Sequence, residues 1–426
     1  MANCTRINSL FLVPFILFST TLFSQVKKRA LFLGNSYTFF NDLPLLTANM
    51  ALSSGDTLVF EMSAPGGHTF EQHCSNATSL QKIAAGNWDF VVLQEQSQLP
   101  SFNIEQVNQE VFPYARRLDS LINTANPCAE TVFFMTWGRK NGDASNCAVW
   151  PPICTYDGMD SLLNLRYRMM ADSNDALLSP AGAVWNYLRQ NLPNIELYNA
   201  DESHPSLAGS YAAAVCFYTV LFRKDPELIS FNSTLDATTA ANMRAAVKEV
   251  VYNNFGEWHV GEHDPKSDYN YTIAGENQVA FENNSLNAEE FIWDFGDGTT
   301  SAELNPVHSF AADDIYFVTL VSTTCGLSDT MSQSIDLTTL GNSELNVNKL
   351  PAIFPNPAEN TLRLSGLNNK CTFKIFSCTG AGAIVKEGII DNYSPEINIG
   401  SLNSGFYYLT LEQKNTFYKP LKFVKK

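Results

Sequence analysis

Two fragments far apart in the chain carry side chains able to break an ester or amide bond. Gly34-Asn35-Ser36 supplies a hydroxyl, and Asp201-Glu202-Ser203-His204-Pro205 places a carboxylate and an imidazole three residues apart. A serine hydroxyl is hardly ionised near neutrality and attacks a carbonyl only when a base within about 3 Å takes its proton. An acid three residues before a histidine, in a turn, can bond one ring nitrogen and leave the other to face the serine. Ser36 as nucleophile, His204 as base and Asp201 as the group that orients the base make acyl transfer to water the expected chemistry. The six histidines are His68, His73, His204, His259, His263 and His308. The last two and His259 fall outside the α/β pattern, while His68 and His73 follow a Gly-Gly turn and are placed to line the site, but lack an acid placed as Asp201 is for His204. Ser36 and Ser206 also suit plain helix caps, and Pro205-Ser206 suits a helix start.

Such groups need a scaffold that brings distant segments to one edge. The apolar run Arg29-Ala30-Leu31-Phe32-Leu33 reads as a buried strand ending at Gly34. Further short apolar strands are expected at Leu58 to Met62, Phe90 to Leu93, Val132 to Thr136 and Asp175 to Leu178. Helices are expected at Leu43 to Ser53, Glu105 to Leu121, Leu207 to Phe222 and Thr238 to Asn254, with another carrying Trp185. This alternation predicts an α/β fold with a parallel sheet covered on both faces. In such folds the chemistry sits beyond the carboxyl ends of the strands.

The motifs resemble the SGNH, or GDSL-type, hydrolases, in the bacterial branch that reads Gly-Asn-Ser-Tyr/Phe-Thr (here Gly34 to Thr38). Gly66-Gly67, the strand end Leu93 to Ser97, and Asp201 to Tyr211 (Asp-x-x-His-Pro-Ser-x-x-Gly-Ser-Tyr) follow in the expected order across roughly residues 28 to 222. The resemblance implies a three-layer α/β/α, flavodoxin-like domain and a Ser36-His204-Asp201 esterase. It also implies an oxyanion hole made of the Ser36 and Gly67 backbone N–H groups and an Asn side chain after strand three. This chain departs from the pattern at that last position. Its strand end reads Leu93-Gln94-Glu95-Gln96-Ser97-Gln98, so Gln94, then Gln96, is expected to donate, with Gln98 next in line. Glu71 and Glu95 nearby are expected to be solvated loop acids. No cofactor and no metal are implied.

The 426 residues allow several domains, and a hydrophobic content of 45% describes a globular chain. A formal net charge of -16 repels phosphate backbones, so nucleic acid is not expected as a partner. Residues 1–24, apolar from Leu10 to Phe23, read as a signal peptide rather than a retained transmembrane anchor. The N-terminal domain is expected over 25–256, ending in a linker from about Gly256 to Asp264. Trp293-Asp294-Phe295-Gly296-Asp297-Gly298, Asn305 to Phe310 and Tyr316 to Leu320 resemble a polycystic-kidney-disease-type domain over 262–340, an Ig-like β-sandwich. There Asp294 and Asp297 read as turn formers rather than calcium ligands.

After a polar stretch, Asn342 to Asn348, residues 349–426 open with Pro355-Asn356-Pro357, contain Gly405-Phe406-Tyr407 and end in lysines. They resemble the C-terminal sorting domain of type IX secretion, a small β-domain whose partner is the secretion machinery. An exported location, secreted or at the cell surface, follows. Loss of Cys4 with the signal leaves eight cysteines, which in an oxidising compartment are expected to form disulfides, with Cys147–Cys154 and Cys371–Cys378 near enough to close locally. The resulting expectation is an exported serine esterase acting on a carbohydrate ester such as an acetylated polysaccharide. The alternative is a non-catalytic surface glycan-binding or adhesin protein with a hydrolase-like fold.

Overall fold

The computed structural model describes residues 25–275, 277–338, 351–365, 370–377, 384–391, 395–413 and 416–426. The expected signal peptide, the polar stretch at 342–348 and Cys378 lie outside the described residues. Five strands, β1 (Lys27–Leu33), β2 (Thr57–Ser63), β3 (Phe90–Leu93), β4 (Glu130–Phe134) and β5 (Leu177–Ser179), form one sheet in the order β2-β1-β3-β4-β5. Every neighbouring pair is parallel. The strands are short and apolar because both faces are covered, as the fully buried Phe90 to Leu93 shows.

The covering helices are α1 (Ser36–Phe39), α2 (Leu43–Ser53), α3 (Phe70–His73), α4 (Ala77–Ala84), α5 (Ile104–Glu110), α6 (Phe112–Ala125), α7 (Tyr156–Asn174), α8 (Ala181–Asn191), α9 (Leu207–Phe222) and α10 (Ala237–Val250). Helix α2 packs on α9, and α9 on α10; α4 packs on α6, and α6 on α7. This is the three-layer, flavodoxin-like arrangement.

The expected single helix from Glu105 to Leu121 is two helices. Val111 leaves helical geometry between them, and Pro113 lacks the N–H that a continuous helix would use. Helix α9 buries every residue from Ala208 to Phe222, so it is an apolar core helix rather than an amphipathic one. Its Gly209 is required by packing, since a Cβ there would lie 2.4 Å from the Trp185 ring.

The core extends beyond the expected boundary at residue 256. Trp258 and Val260 are buried in it, the Trp258 indole donates to the Val250 carbonyl, and Arg168 stacks on the Trp258 ring. Asp264 pairs with Arg223. The segment read as a linker is therefore packed, because its aromatic and apolar residues gain more by burial than by solvation.

Beyond it lie two antiparallel sheets. One has the order β10-β7-β6, with β6 (Tyr269–Gly275), β7 (Gln278–Asn283) and β10 (Val307–Ser309). The other runs β12-β11-β8-β9, with β8 (Glu290–Asp294), β9 (Thr300–Ser301), β11 (Ile315–Thr324) and β12 (Leu327–Asp336). Tyr269, Phe281 and Trp293 meet ring to ring in the buried interior. Asp294 accepts the Gly296 N–H and Asp297 the Thr299 N–H, the bonds that shape these turns.

The C-terminal segment has a sheet β13-β14-β17 of β13 (Ala352–Phe354), β14 (Thr361–Ser365) and β17 (Glu396–Asn398). A second sheet, β16-β15-β18-β19, comprises β15 (Cys371–Ser377), β16 (Ile384–Ile390), β18 (Gly405–Gln413) and β19 (Thr416–Lys425). Leu362, Ile375, Leu409 and Phe423 are among its fully buried core residues.

Disulfides join Cys147 to Cys154, within one loop, and Cys128 to Cys325, between the approach to β4 and the β11–β12 turn. Cys74 and Cys216 are instead buried thiols, against the expectation that the cysteines would pair. The Cys216 side chain belongs to the core of α9, where it takes a hydrogen bond from Ser179. No helix among the described residues is long and apolar enough to cross a membrane.

Candidate active site

The sheet order reverses direction between β1 and β3, and the two loops leaving these strands meet there. Such a switch point opens a crevice at the carboxyl edge. Asn35 and Ser36 follow β1, and Gln94 follows β3. The Gln94 N–H donates to the Leu33 carbonyl, continuing the strand pairing into the loops. Gly34 cannot be replaced without a clash, because a Cβ there would fall 2.2 Å from Thr38 Oγ1 and 2.6 Å from Gln94 Oε1.

Ser36 is the first residue of α1, and Asn35 caps that helix by accepting the Tyr37 N–H at 3.2 Å. Ser36 Oγ lies 2.7 Å from His204 Nε2. On its other side the His204 ring is hydrogen-bonded through Nδ1 to Asp201 Oδ2. Since a carboxylate only accepts, Nδ1 carries the proton and Nε2 is free to accept from the serine. Asp201 Oδ1 also accepts the backbone N–H groups of Ser203 and His204, at 3.1 and 3.0 Å. Burial pushes the Asp201 carboxyl upward, but the bond from His204 and those two N–H groups outweigh it and hold it below the ordinary range.

The structure thus brings Ser36, His204 and Asp201 together in one chain of hydrogen bonds. The imidazole is partly exposed, with the face of Phe40 stacked on it at 4.4 Å and the edge of Tyr37 at 5.4 Å.

Gly67 stands in an exposed turn at φ +70°, with open space where a side chain would be. The Asn35 side chain donates to the His68 carbonyl at 2.9 Å, tying that turn to the serine. No acceptor among the described residues takes the Ser36 or Gly67 N–H, so both donors remain open to a ligand oxygen.

The glutamines behave differently from expectation. Gln94 is fully buried, and its Oε1 accepts from the Asn35 N–H and the Thr38 hydroxyl, both at 2.9 Å. Its amide donates to the Glu95 carbonyl. Enclosed and occupied in this way, Gln94 braces the backbone that carries Ser36 and presents no donor to a substrate. The side-chain oxygen Oε1 of Gln96 accepts from the Gln98 and Leu99 N–H groups at 2.8 and 3.2 Å, and its amide nitrogen reaches Gln98 Oε1 at 3.1 Å. Gln98 in turn donates to Asp143 Oδ2 at 2.6 Å. Gln94 does not fit the expected role of oxyanion donor, because the polar groups of a buried site satisfy one another first, while Gln96 and Gln98 are half-buried and bonded to each other, with Gln98 also bonded to Asp143.

Two groups named in the sequence take roles inside the fold rather than in the crevice or in solvent. His73 is fully buried; its Nε2–H donates to the Gly34 carbonyl at 2.9 Å, and its Nδ1 faces Ser79 Oγ at 2.8 Å. Burial lowers its pKa to about 4, so it is a neutral brace. Glu95, expected in solvent, is fully enclosed. Its carboxyl accepts the Phe70 N–H at 3.1 Å and its neighbour Gln96's N–H at 2.6 Å, and burial raises its pKa to about 8. Only its place after an apolar strand hinted at this. Glu71 is exposed and accepts the Tyr114 hydroxyl at 2.7 Å.

Fold and site define the class: a three-layer α/β/α domain with a serine, a histidine and an aspartate joined at the carboxyl edge of its parallel sheet. Residues 265–339 match the model of the PKD domain, and residues 352–426 match that of the Secretion system C-terminal sorting domain. The sorting domain marks the chain for export, to the cell surface or beyond.

Among solved structures, a candidate SGNH hydrolase from Slackia heliotrinireducens is 28% identical over 46% of this chain and 99% of its own, with a TM-score of 0.38. An acetyl xylan esterase variant from Geobacillus stearothermophilus is 15% identical over 49% of this chain and 97% of its own, with a TM-score of 0.31. The PKD1 domain of a Vibrio cholerae metalloprotease is 34% identical over 17% of this chain and 96% of its own, with a TM-score of 0.17.

Proposed function

We propose that the chain is an exported serine esterase that cleaves acyl groups from carbohydrate through an acyl-enzyme on Ser36. The observation that carries this reading is the 2.7 Å contact of Ser36 Oγ with a histidine whose other nitrogen is held by Asp201. His204 takes the proton as Ser36 attacks the ester carbonyl. The Ser36 and Gly67 N–H groups receive the negative charge that develops on the carbonyl oxygen. The imidazolium then protonates the departing sugar hydroxyl, and water, activated by the same ring, releases the acid and frees the serine.

The sugar ester is favoured by the exported setting and by the likeness of the four sequence blocks to SGNH hydrolases. Release of acetate from a panel of acetylated polysaccharides, and hydrolysis of p-nitrophenyl acetate, test it against the Ser36→Ala variant. Equal rates for both chains would overturn the serine mechanism. Absence of turnover on every ester, with saturable binding to a glycan, would favour the adhesin reading instead.

A further inference from the structure

Ser36 and His204 come from different elements 168 residues apart, so no local geometry sets the distance between them. The acid–base loop is exposed at Asp201 and Glu202, and Glu202 adopts a left-handed conformation at φ 60°, which a non-glycine residue holds only when its surroundings enforce it. Part of that enforcement is visible: Lys140 N–H donates to the Glu202 carbonyl at 2.9 Å, and Asn141 donates to the Glu202 carboxylate at 2.8 Å. The residue touching His204 directly in sequence, Ser203, is gripped from two sides. Its hydroxyl lies 2.7 Å from the Tyr37 hydroxyl, and its carbonyl accepts the Trp137 indole N–H at 3.2 Å.

These two partners belong to a rigid column. The Tyr37 ring stacks on Trp137 at 5.0 Å and 8°, and Trp137 stacks on Trp185 at 3.6 Å and 4°. Trp185 donates to the Gly209 carbonyl at 3.3 Å, inside the first turn of α9. All three rings are buried. Tyr37 is also the residue that follows Ser36, so a movement of the column moves nucleophile and base together. Burial raises the Tyr37 pKa, which keeps its hydroxyl neutral and the bond to Ser203 intact at ordinary pH.

We propose that Tyr37 and Trp137 are positioning residues that clamp Ser203 and thereby fix His204 within proton-transfer reach of Ser36. The inference rests on the reading of Ser36 as nucleophile and His204 as base. Many buried tyrosines and tryptophans only fill space. These two differ because their polar ends converge on a single residue beside the base rather than on unrelated backbone. Displacements of a reacting group by an ångström or less are enough to slow a reaction severely.

The test uses the full chain with p-nitrophenyl acetate. Tyr37→Phe and Ser203→Ala each break the same hydroxyl contact, so each is expected to lower kcat about 10-fold with KM within about twofold of wild type. The double variant is expected to be no slower than either single one, since both remove one interaction. Trp137→Phe keeps an aromatic ring but loses the donor and is expected to lower kcat similarly. A space-filling role would instead lower the unfolding midpoint and leave kcat unchanged. Tyr37→Phe and Ser203→Ala with kcat within twofold of wild type, beside an inactive Ser36→Ala, would overturn the clamp alone. Single losses that multiply in the double variant would also overturn it. An active Ser36→Ala would overturn the serine reading and the clamp with it.

Discussion

Replacing Glu95 by glutamine should change how stability depends on pH, in a direction that follows from the enclosure of the carboxyl. Burial raises its pKa to about 8 from an ordinary 4.5, and the other charge that reaches it, Glu71, is also acidic and pushes the same way. Below pH 4.5 the group is protonated in both the folded and unfolded chain, and its contribution is fully present. Between 4.5 and 8 the unfolded chain releases a proton that the folded one keeps, so stability falls as pH rises. The decline ends near pH 8, where the folded form ionises too.

At about 1.4 kcal/mol per pH unit, the interval from 4.5 to 8 corresponds to about 5 kcal/mol, an upper bound because buried loops relax around a new charge. The amide introduced by Glu95→Gln would retain an oxygen for the Phe70 and Gln96 N–H groups and carry no titratable proton. His73 contributes an opposite trend: its depressed pKa of about 4 makes stability rise from about pH 4 to 6.5. That trend is common to both chains and cancels in their difference.

Urea unfolding followed by tryptophan fluorescence suits the measurement, because five of the six tryptophans (Trp88, Trp137, Trp150, Trp185 and Trp258) lie in the α/β portion. The advantage of Glu95→Gln over wild type should be constant below pH 4.5, grow by several kcal/mol up to pH 8, and level off. Parallel stability curves from pH 4 to 9 would refute the assignment of a neutral, enclosed acid.

Ser36→Ala and His204→Ala should each lower kcat on a soluble ester by about 10³-fold or more, with the double variant little worse, as steady-state kinetics will show. Asp201→Asn should be nearly as severe, because an amide favours the wrong imidazole tautomer. Gln94→Leu strips the acceptor from the Asn35 N–H and the Thr38 hydroxyl, so denaturant unfolding should show a loss of about 2–4 kcal/mol, with activity reduced through the misplaced serine. Peptide mapping without reductant should recover Cys128–Cys325 and Cys147–Cys154 as linked pairs, with Cys74 and Cys216 alkylated only after denaturation. A chain ending at residue 349 should remain within the cell envelope of its native host, detectable by fractionation, while the full chain reaches the surface or medium.

The alternation of apolar runs and helical stretches was enough to name the fold, because strands buried on both faces must be short and uniformly apolar. Phe90 to Leu93 and the helices Leu43–Ser53 and Leu207–Phe222 fall where the pattern predicts them. The meeting of Ser36, His204 and Asp201 was legible for a related reason: the chemistry proposed for them requires particular residue types beside a strand end and in a local turn. The glutamines were not. Whether Gln94 donates to a substrate or to its own loop depends on which buried groups surround it, and those come from Asn35, Thr38 and Glu95 on two different strand ends.

Burial of Glu95 and the packing of Trp258 are likewise properties of what lies across the core, invisible to a reading of neighbours in sequence. The clamp on Ser203 joins Tyr37 and Trp137 across 100 positions, and its existence depends on the strand order that puts β1 beside β3 and β4 next to that. Residue chemistry and periodicity determined which groups are proposed for a reaction and what kind of scaffold holds them. Only the tertiary structure decided which polar groups face the crevice and which are used up inside, because hydrogen-bond partners are assigned by proximity in space and a buried group must find one there.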